Sequence, residues 1–126
     1  MRLLIDTHLL LWWLNGSSLL PARGRALIAD QANTVFISAV SLWEIRLKQS
    51  LNKLAVPVDF AVRVAAEPFE SLPLRARHTD GIVGMPWHHR DPFDRLLVAQ
   101  AKAEGIMLLT ADSELAAYGD FVLCLS

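Results

Sequence analysis

Four acidic residues stand where apolar segments end or turn, and their positions suggest one shared site. Asp6 closes Arg-Leu-Leu-Ile-Asp, Glu44 lies in Ser-Ala-Val-Ser-Leu-Trp-Glu-Ile, Asp94 lies in Asp-Pro-Phe-Asp-Arg, and Asp112 follows Ile-Met-Leu-Leu-Thr. In an α/β protein, ligands bind in the crevice outside the carboxyl ends of the strands. Two of the acids follow predicted strands at that edge, and the other two lie near the starts of predicted helices. This pattern is typical of a carboxylate-lined site for a divalent metal.

The chemistry of such a site follows from the oxygen ligands. Mg²⁺ prefers octahedral oxygen coordination and usually keeps several waters while it binds a few carboxylates. Two carboxylates ~4 Å apart repel each other by ~4 kcal/mol at an effective dielectric of about 20, so an empty cluster is costly. A bound dication offsets this repulsion, activates a water molecule, orients a phosphodiester and stabilises charge on the leaving oxygen.

Two of the acids also have a structural alternative in helix capping. The segment 91–94 has the order of an N-cap acid, a proline at the first helical position and a second acid, Asp94, at the third. We therefore assign Asp91 to the N-cap rather than to the metal site. Glu44 follows Ser41 by three residues, as in a capping box. The residues before Ser41 already favour helix, however, and place the helix start nearer Ser38.

The remaining two acids differ in their structural alternatives. Asp112 precedes Ser-Glu-Leu and has the position of a turn or N-cap residue. Asp6 follows directly on a segment that is apolar on both faces, and burying a carboxylate costs free energy unless it is paired. The joint pattern of the four acids is more informative than any one of them.

The elements that must position these acids alternate between strand and helix. Short apolar runs predict strands, and apolar residues at helical spacing predict helices. The strands are predicted over 2–5, 35–38, 69–74 and 106–110, with a fifth over 121–125; the helices over 8–14, 21–30, 40–51, 59–66, 75–81 and 93–104; and a loop over 84–90. This alternation predicts an α/β fold, with a central parallel sheet of four to five strands and helices on both faces.

Composition excludes several other classes of protein. With 126 residues and a hydrophobic fraction of 53%, the chain forms one domain with a real core. Its net charge of −1 excludes nucleic-acid binding through bulk positive charge. No apolar run approaches the ~20 residues of a membrane span. The single cysteine, Cys124, excludes an internal disulfide and fits a reducing cytoplasm.

The chain resembles the PIN-domain proteins, and specifically the VapC-type ribonuclease toxins of bacterial toxin–antitoxin pairs. The matching segments are Leu-Leu-Ile-Asp-Thr-His-Leu-Leu-Leu-Trp-Trp at 3–13, Ile-Ser-Ala-Val-Ser-Leu-Trp-Glu-Ile at 37–45, His-Arg-Asp-Pro-Phe-Asp-Arg-Leu-Leu-Val-Ala-Gln-Ala at 89–101 and Leu-Leu-Thr-Ala-Asp at 108–112. They follow the order of the family along the whole chain. One local departure is Asn52, where the family often has glycine, and asparagine tolerates the same left-handed conformation.

The resemblance implies a single PIN-like nuclease domain over residues 1–126 and a specific activity. It implies a cytoplasmic endoribonuclease that depends on Mg²⁺ or Mn²⁺, forms a homodimer and is inhibited by a cognate antitoxin protein. Its catalytic and metal-binding residues would be Asp6, Glu44, Asp94 and Asp112. Thr7 and Thr110 match the small polar positions beside these acids.

Several other residues have a functional and a structural alternative. Basic residues near the acids would either bind RNA phosphates or form solvated surface: Arg46, Lys48, Lys53, Arg90 and Arg95. His88 and His89 lack the spacing of a zinc site. The tryptophans would either stack on bases or pack in the core or an interface: Trp12, Trp13, Trp43 and Trp87. The run 9–14 has more apolar side chains than one short helix buries, which suggests antitoxin docking there.

Rival acid-site proteins fit the sequence less well. A phosphotransfer domain of the haloacid-dehalogenase type needs a second Asp two residues after Asp6, where this chain has His8. A response-regulator receiver needs a lone Asp after the third strand, which here ends in Pro73-Leu74. The remaining alternative is a catalytically inactive PIN-like binding module, which would not need a divalent metal.

Overall fold

The computed structural model of the chain describes residues 1–125. In chain order the elements are β1 (Arg2–Ile5), α1 (Thr7–Leu14), α2 (Ala22–Ala29), β2 (Thr34–Ser38), α3 (Ala39–Ser50), α4 (Phe60–Ala65), β3 (Glu70–Leu72), α5 (Ala76–Asp80), α6 (Pro92–Glu104), β4 (Met107–Thr110), a 3₁₀ segment (Ser113–Tyr118) and β5 (Val122–Cys124). All the predicted strands and helices are present, and the boundaries differ by two residues or fewer.

The five strands form one parallel sheet in the order β3-β2-β1-β4-β5. The chain builds outward from β1 through β2 to β3, and then crosses to the other side of β1 to form β4 and β5. The strand order therefore reverses between β1 and β4, where Ile5 pairs with Leu109. In doubly wound α/β proteins the crevice at this switch point is the ligand site.

Both faces of the sheet are covered by helices. Successive side chains of a strand point to opposite faces, and accordingly Leu3 and Ile5 belong to one hydrophobic cluster while Leu4 belongs to a second. The first cluster takes residues from α1, α2, α3 and α4, and the second takes Leu97 and Val98 from α6. The predicted fold class is confirmed.

Local sequence signals set the ends of the two helices that carry acids. Ser38 caps α3, because its Oγ accepts a hydrogen bond from the backbone N–H of Val40 at 2.9 Å. Gly105 ends α6 in the left-handed conformation at φ 65°, which favours glycine over other residues. Asn52 has φ 57°, the conformation expected for the residue that replaces glycine in the family pattern.

Two details differ from the sequence analysis. The 3₁₀ segment after β4 was not predicted. The run 9–14 is not an exposed apolar surplus, because Leu9 and Leu10 are fully buried and the next four residues pack partly buried against the first cluster. This burial contradicts the apolar surplus from which antitoxin docking at 9–14 was inferred, and the docking itself stays a prediction. None of the helices described over residues 1–125 is long and apolar enough to cross a bilayer.

Candidate active site

Asp6 lies at the switch point, directly after β1, and is held by two hydrogen bonds. Its side chain caps α1, with Oδ1 accepting from the N–H of Leu9 at 2.9 Å. Oδ2 accepts from the hydroxyl of Thr110, the last residue of β4, at 2.5 Å. Burial raises the pKa of Asp6 above its ordinary value, although these two hydrogen bonds oppose the shift. A buried carboxylate is thus fixed between the first and fourth strands.

Asp112 follows β4 on the other side of the same crevice. Its Oδ1 caps the 3₁₀ segment by accepting from the N–H of Glu114 at 3.0 Å, so the predicted N-cap role is confirmed. Its own N–H donates to the Oγ1 of Thr110 at 3.0 Å, the same hydroxyl that donates to Asp6. The charge of Asp112 also contributes to the raised pKa of Asp6. Thr110 therefore links the two acids that follow the two central strands.

Asp94 lies in the first turn of α6, and Asp91 caps that helix. The Oδ1 of Asp91 accepts from the N–H groups of Phe93 and Asp94 at 2.8 and 3.0 Å, which confirms its N-cap role. Burial, together with the negative charges of Asp91, Asp6 and Glu44, raises the pKa of Asp94 to about 7. Asp94 therefore lies within the electrostatic field of acids from β1 and α3.

Glu44 lies in the second turn of α3 and is 3% exposed. Because Ser38 caps the helix, the capping-box alternative with Ser41 does not apply. Its Oε2 accepts from the Nζ of Lys48 at 2.5 Å. Its Oε1 is the one buried side-chain oxygen or nitrogen within residues 1–125 that has no hydrogen-bond partner. Such an atom costs on the order of 1–3 kcal/mol, so it points to a ligand that the protein itself does not supply.

The four predicted acids are thus connected through their charges, but they are not packed at ligand distance. Asp94 is coupled to Asp6 and Glu44, and Asp6 is coupled to Asp112. Within residues 1–125, the one trio of potential metal ligands with all donor atoms within 4.8 Å is His89, Asp112 and Glu114. Of the predicted site residues, this trio contains Asp112 alone.

The donor set fits a hard divalent cation. Carboxylate oxygens are the ligands that Mg²⁺ prefers, and the unpartnered Oε1 of Glu44 is such an oxygen. A cation placed among Asp6, Glu44 and Asp94 would reverse the local field that raises the pKa of Asp94. The residues that would hold it are Asp6, Glu44, Asp94 and Asp112.

Arg95, which follows Asp94 in α6, has a structural role that the sequence did not reveal. Arg95 is 3% exposed and is neither solvated surface nor available to RNA phosphates. Its guanidinium donates to the carbonyl of Pro86 at 2.8 Å and the hydroxyl of Tyr118 at 3.0 Å. It also lies 3.7 Å from the ring centroid of Trp87. Arg95 therefore fixes the loop before α6, and no local pattern could have indicated these long-range contacts.

The tryptophans divide between core and surface. Trp12 and Trp13 are partly buried against the first cluster. The ring centroids of Trp13 and Phe69 are 6.4 Å apart. Trp43 and Trp87 are 59% and 75% exposed. The core-packing alternative is confirmed for the first pair and does not describe the second.

This fold and site define a class of protein: an α/β domain with acids gathered at the switch point of a parallel sheet. The family model of the PIN domain matches residues 3–120, and the chain belongs to the PIN domain family. No match to a curated protein was found.

Solved structures resemble the chain over nearly its full length. A VapBC2 structure from Rickettsia felis, bound to a DNA fragment from its promoter, has a TM-score of 0.71 at 17% identity and covers 98% of this chain and 97% of that one. A toxin–antitoxin complex from Klebsiella pneumoniae has a TM-score of 0.62 at 18% identity, with 95% and 94% covered. FitAcB from Neisseria gonorrhoeae has a TM-score of 0.59 at 18% identity, with 97% and 96% covered. At these identities the similarity establishes the fold.

Proposed function

We propose that this PIN-domain protein is a divalent-metal-dependent endoribonuclease and acts as the toxin of a toxin–antitoxin pair. The observation that carries the proposal is the coupling of acids from separate elements at the switch point, expressed in the pKa of Asp94 of about 7. The raised pKa values of Asp6 and Asp94 mean that their ionised forms are destabilised where they lie, and a bound cation compensates that cost. Asp6, Glu44, Asp94 and Asp112 are the proposed catalytic and metal-binding residues, and Mg²⁺ or Mn²⁺ is the proposed ion.

A bound ion of this kind supplies an activated water and stabilises charge on the phosphodiester and the leaving oxygen. The protein contributes the placement of the oxygens. Leu9 and Thr110 fix the carboxylate of Asp6. Lys48 binds Oε2 of Glu44, which leaves Oε1 as the unpartnered oxygen. Without the ion, Asp94 holds a proton over much of the range below neutral pH, and that proton must leave before its oxygens bind a cation.

We also propose an RNA substrate, a cognate antitoxin partner, a homodimer and a cytoplasmic location. The structural neighbours support the antitoxin, because one is described as a toxin–antitoxin complex and another is a VapBC2 structure. Exposed apolar side chains support a protein partner: Trp43 and Leu74 line a groove of about 520 Å³ with Phe93 and Leu96, between α3 and α6. This surface is a more exposed apolar face than the run 9–14.

Cleavage of RNA by the purified protein tests the activity. The antitoxin-free protein should cut structured RNA in the presence of Mg²⁺ or Mn²⁺ and stop when EDTA is added. Undiminished cleavage in EDTA would contradict the metal-dependent mechanism. No cleavage with any divalent ion, together with no effect of Mg²⁺ on the melting temperature, would favour the inactive binding module.

Growth of cells that express the protein tests the biological role. Expression of the chain alone should slow growth, and co-expression of the gene encoded beside it should restore growth. The Asp94→Asn variant is the matched control, because it should fold but be harmless without any partner. A wild-type protein that is freely expressed, harmless and monomeric would count against both the toxin assignment and the homodimer.

A further inference from the structure

His89 lies between two of the segments that carry the acids. Its Nε2 is 2.8 Å from Oδ2 of Asp112, which follows β4. Its Nδ1 accepts a hydrogen bond of 3.0 Å from the N–H of Asp91, the cap of the helix that carries Asp94. The side chain of His89 is 14% exposed. One ring therefore connects the start of α6 with the acid on the far side of the switch point.

The two contacts of the ring determine which nitrogen carries the hydrogen. The N–H of Asp91 donates to Nδ1, so the lone pair of Nδ1 is occupied and Nδ1 has no hydrogen of its own. In the neutral ring the hydrogen then lies on Nε2. Nε2 therefore donates to the carboxylate of Asp112, and it has no lone pair left to bind a metal.

The backbone of His89 adds a third contact in the same region. Its N–H donates to the hydroxyl of Tyr118 at 3.2 Å, and Tyr118 is the last residue of the 3₁₀ segment that Asp112 caps. His89 thus holds both ends of that segment. Arg95 of α6 donates to the same hydroxyl at 3.0 Å, which ties the segment to the helix as well.

We propose that His89 is a positioning residue that fixes the carboxylate of Asp112 relative to the acids of α6. The inference rests on the proposed function, because it assigns His89 to the metal site as a hydrogen-bond partner of a ligand. Without the Nε2–H donor, Oδ2 of Asp112 loses its described partner, and the carboxylate can turn away from Asp94. Outer-shell partners of this kind contribute roughly 10–100-fold to metal affinity or activity.

The main alternative is that His89 itself binds the ion, together with Asp112 and Glu114. Their donor atoms do lie within 4.8 Å of one another. Two observations favour positioning over ligation. The Nδ1 atom is already occupied by Asp91, and the separation of 2.8 Å between Nε2 and Oδ2 is that of a hydrogen bond.

Variants at two adjacent histidines test the proposal through the dependence of RNA cleavage on Mg²⁺. His89→Ala should raise the Mg²⁺ concentration for half-maximal rate by roughly 10–100-fold, while the KM for RNA stays near the wild-type value. His89→Gln keeps an N–H donor near the position of Nε2 and should recover most of the loss. His88→Ala is the matched control, because His88 is exposed and contacts the ring of Tyr118 rather than an acid. It should behave like the wild type.

A second measurement does not depend on activity. In ¹⁵N NMR spectra of the wild-type protein, the neutral ring of His89 should carry its hydrogen on Nε2 both before and after Mg²⁺ is added. Loss of that hydrogen on addition of Mg²⁺ would make His89 a ligand and overturn the proposal. The rise in melting temperature caused by Mg²⁺ should likewise be smaller in His89→Ala than in the wild type.

The outcomes separate this inference from the proposed function. A wild-type protein that shows neither Mg²⁺-dependent cleavage nor a Mg²⁺-dependent melting temperature would overturn the proposed function itself. A wild type that responds to Mg²⁺, with a His89→Ala variant that responds at the same concentrations, would overturn only the role of His89. A variant that is unfolded leaves the decision to the NMR measurement, which requires no substitution.

Discussion

Helix α6 carries one carboxylate at each end, and the two have opposite surroundings. At the N-terminal end, burial and the charges of Asp91, Asp6 and Glu44 raise the pKa of Asp94 to about 7. At the C-terminal end, the pKa of Glu104 is lowered by hydrogen bonds from Arg77 and from His78. The first carboxylate is buried beside like charges, and the second is paired with hydrogen-bond donors.

The difference separates a carboxylate that stabilises the fold from one that costs stability. Glu104 accepts from Arg77 at 2.5 Å and from the buried His78 at 2.8 Å, and so ties α5 to the end of α6. Asp94 belongs to a group of carboxylates that repel one another. A fold selected only for stability would avoid such a group. Such an arrangement at a conventional ligand-binding edge of a sheet indicates function rather than structure.

Substitution of the two carboxylates tests this difference between the ends of α6. The largest expected effect is on the rate of RNA cleavage. Asp94→Asn should lower Mg²⁺-dependent cleavage on the order of 100-fold or more, because a ligand contributes more than the 10–100-fold of its outer-shell partners. Glu104→Gln on the same helix is the control and should cleave at the wild-type rate. Initial rates on one RNA substrate at saturating Mg²⁺ make the comparison. Equal losses in both variants would remove the functional distinction between the two ends.

The pH dependence of stability in the absence of metal gives the next effect. Below the ordinary pKa of 3.8, Asp94 is protonated in both the folded and unfolded states. As the pH rises towards 7, the unfolded chain has lost this proton but the folded protein keeps it, so the free energy of unfolding falls. Above about pH 7 the loss is constant, on the order of 1–4 kcal/mol.

Asp94→Asn should therefore raise the stability of the metal-free protein at pH 8 and reduce its decline between pH 4 and 7. A decline remains, because burial also raises the pKa of Asp6. Urea unfolding in EDTA at several pH values measures both effects. A variant that is less stable than the wild type at pH 8 would show that Asp94 is stabilised, not repelled, where it lies.

At the C-terminal end of α6, removal of the Glu104 charge should lower the stability rather than raise it, and by a smaller amount. Glu104→Gln should lower the free energy of unfolding at neutral pH by ~0.5–1 kcal/mol, since solvent screens much of the ion pair. The pKa of Glu104 is lowered, so its contribution is present above the ordinary value of 4.5 and is lost as the pH falls through the folded value. Unfolding curves at neutral and acidic pH should converge in acid. A constant difference at all pH values would indicate a packing effect instead.

The smallest effect on stability is expected for Arg77, the exposed partner of Glu104. Arg77 is 52% exposed on its side chain, and exposed ion pairs contribute only a few tenths of a kcal/mol. Arg77→Ala should therefore change the melting temperature very little, while the bond from His78 keeps Glu104 in place. A loss as large as that of Glu104→Gln would assign the whole contribution to Arg77.

Much of the fold could be predicted because its signals are local. Apolar runs mark β1 and β4, Ser38 and Asp91 cap the helices that carry Glu44 and Asp94, and Gly105 ends the second of them. The parallel sheet follows from the alternation of these elements. The placement of the four acids near one sheet edge follows in turn, although their role as ligands remains a prediction.

The errors of the sequence analysis arise from contacts between distant segments. Arg95 looked like surface, but its partners are loop carbonyls and Tyr118, 23 residues away. His89 and Asp112 are also 23 residues apart, and they meet only in the folded protein. The prediction for 9–14 counted apolar residues on an isolated helix, whereas α1 packs between the sheet and neighbouring segments such as the one that carries Phe69.

The bond between Asp6 and Thr110 also determines when this crevice comes into existence. The two residues are 104 positions apart, and parallel pairing of such distant strands is slow, because the intervening chain must be ordered first. During synthesis β1 is made long before β4, so it lacks this neighbouring strand until β4 has been translated. A ribosome that makes this protein therefore carries a chain without its complete acidic crevice until β4 and Asp112 have been translated.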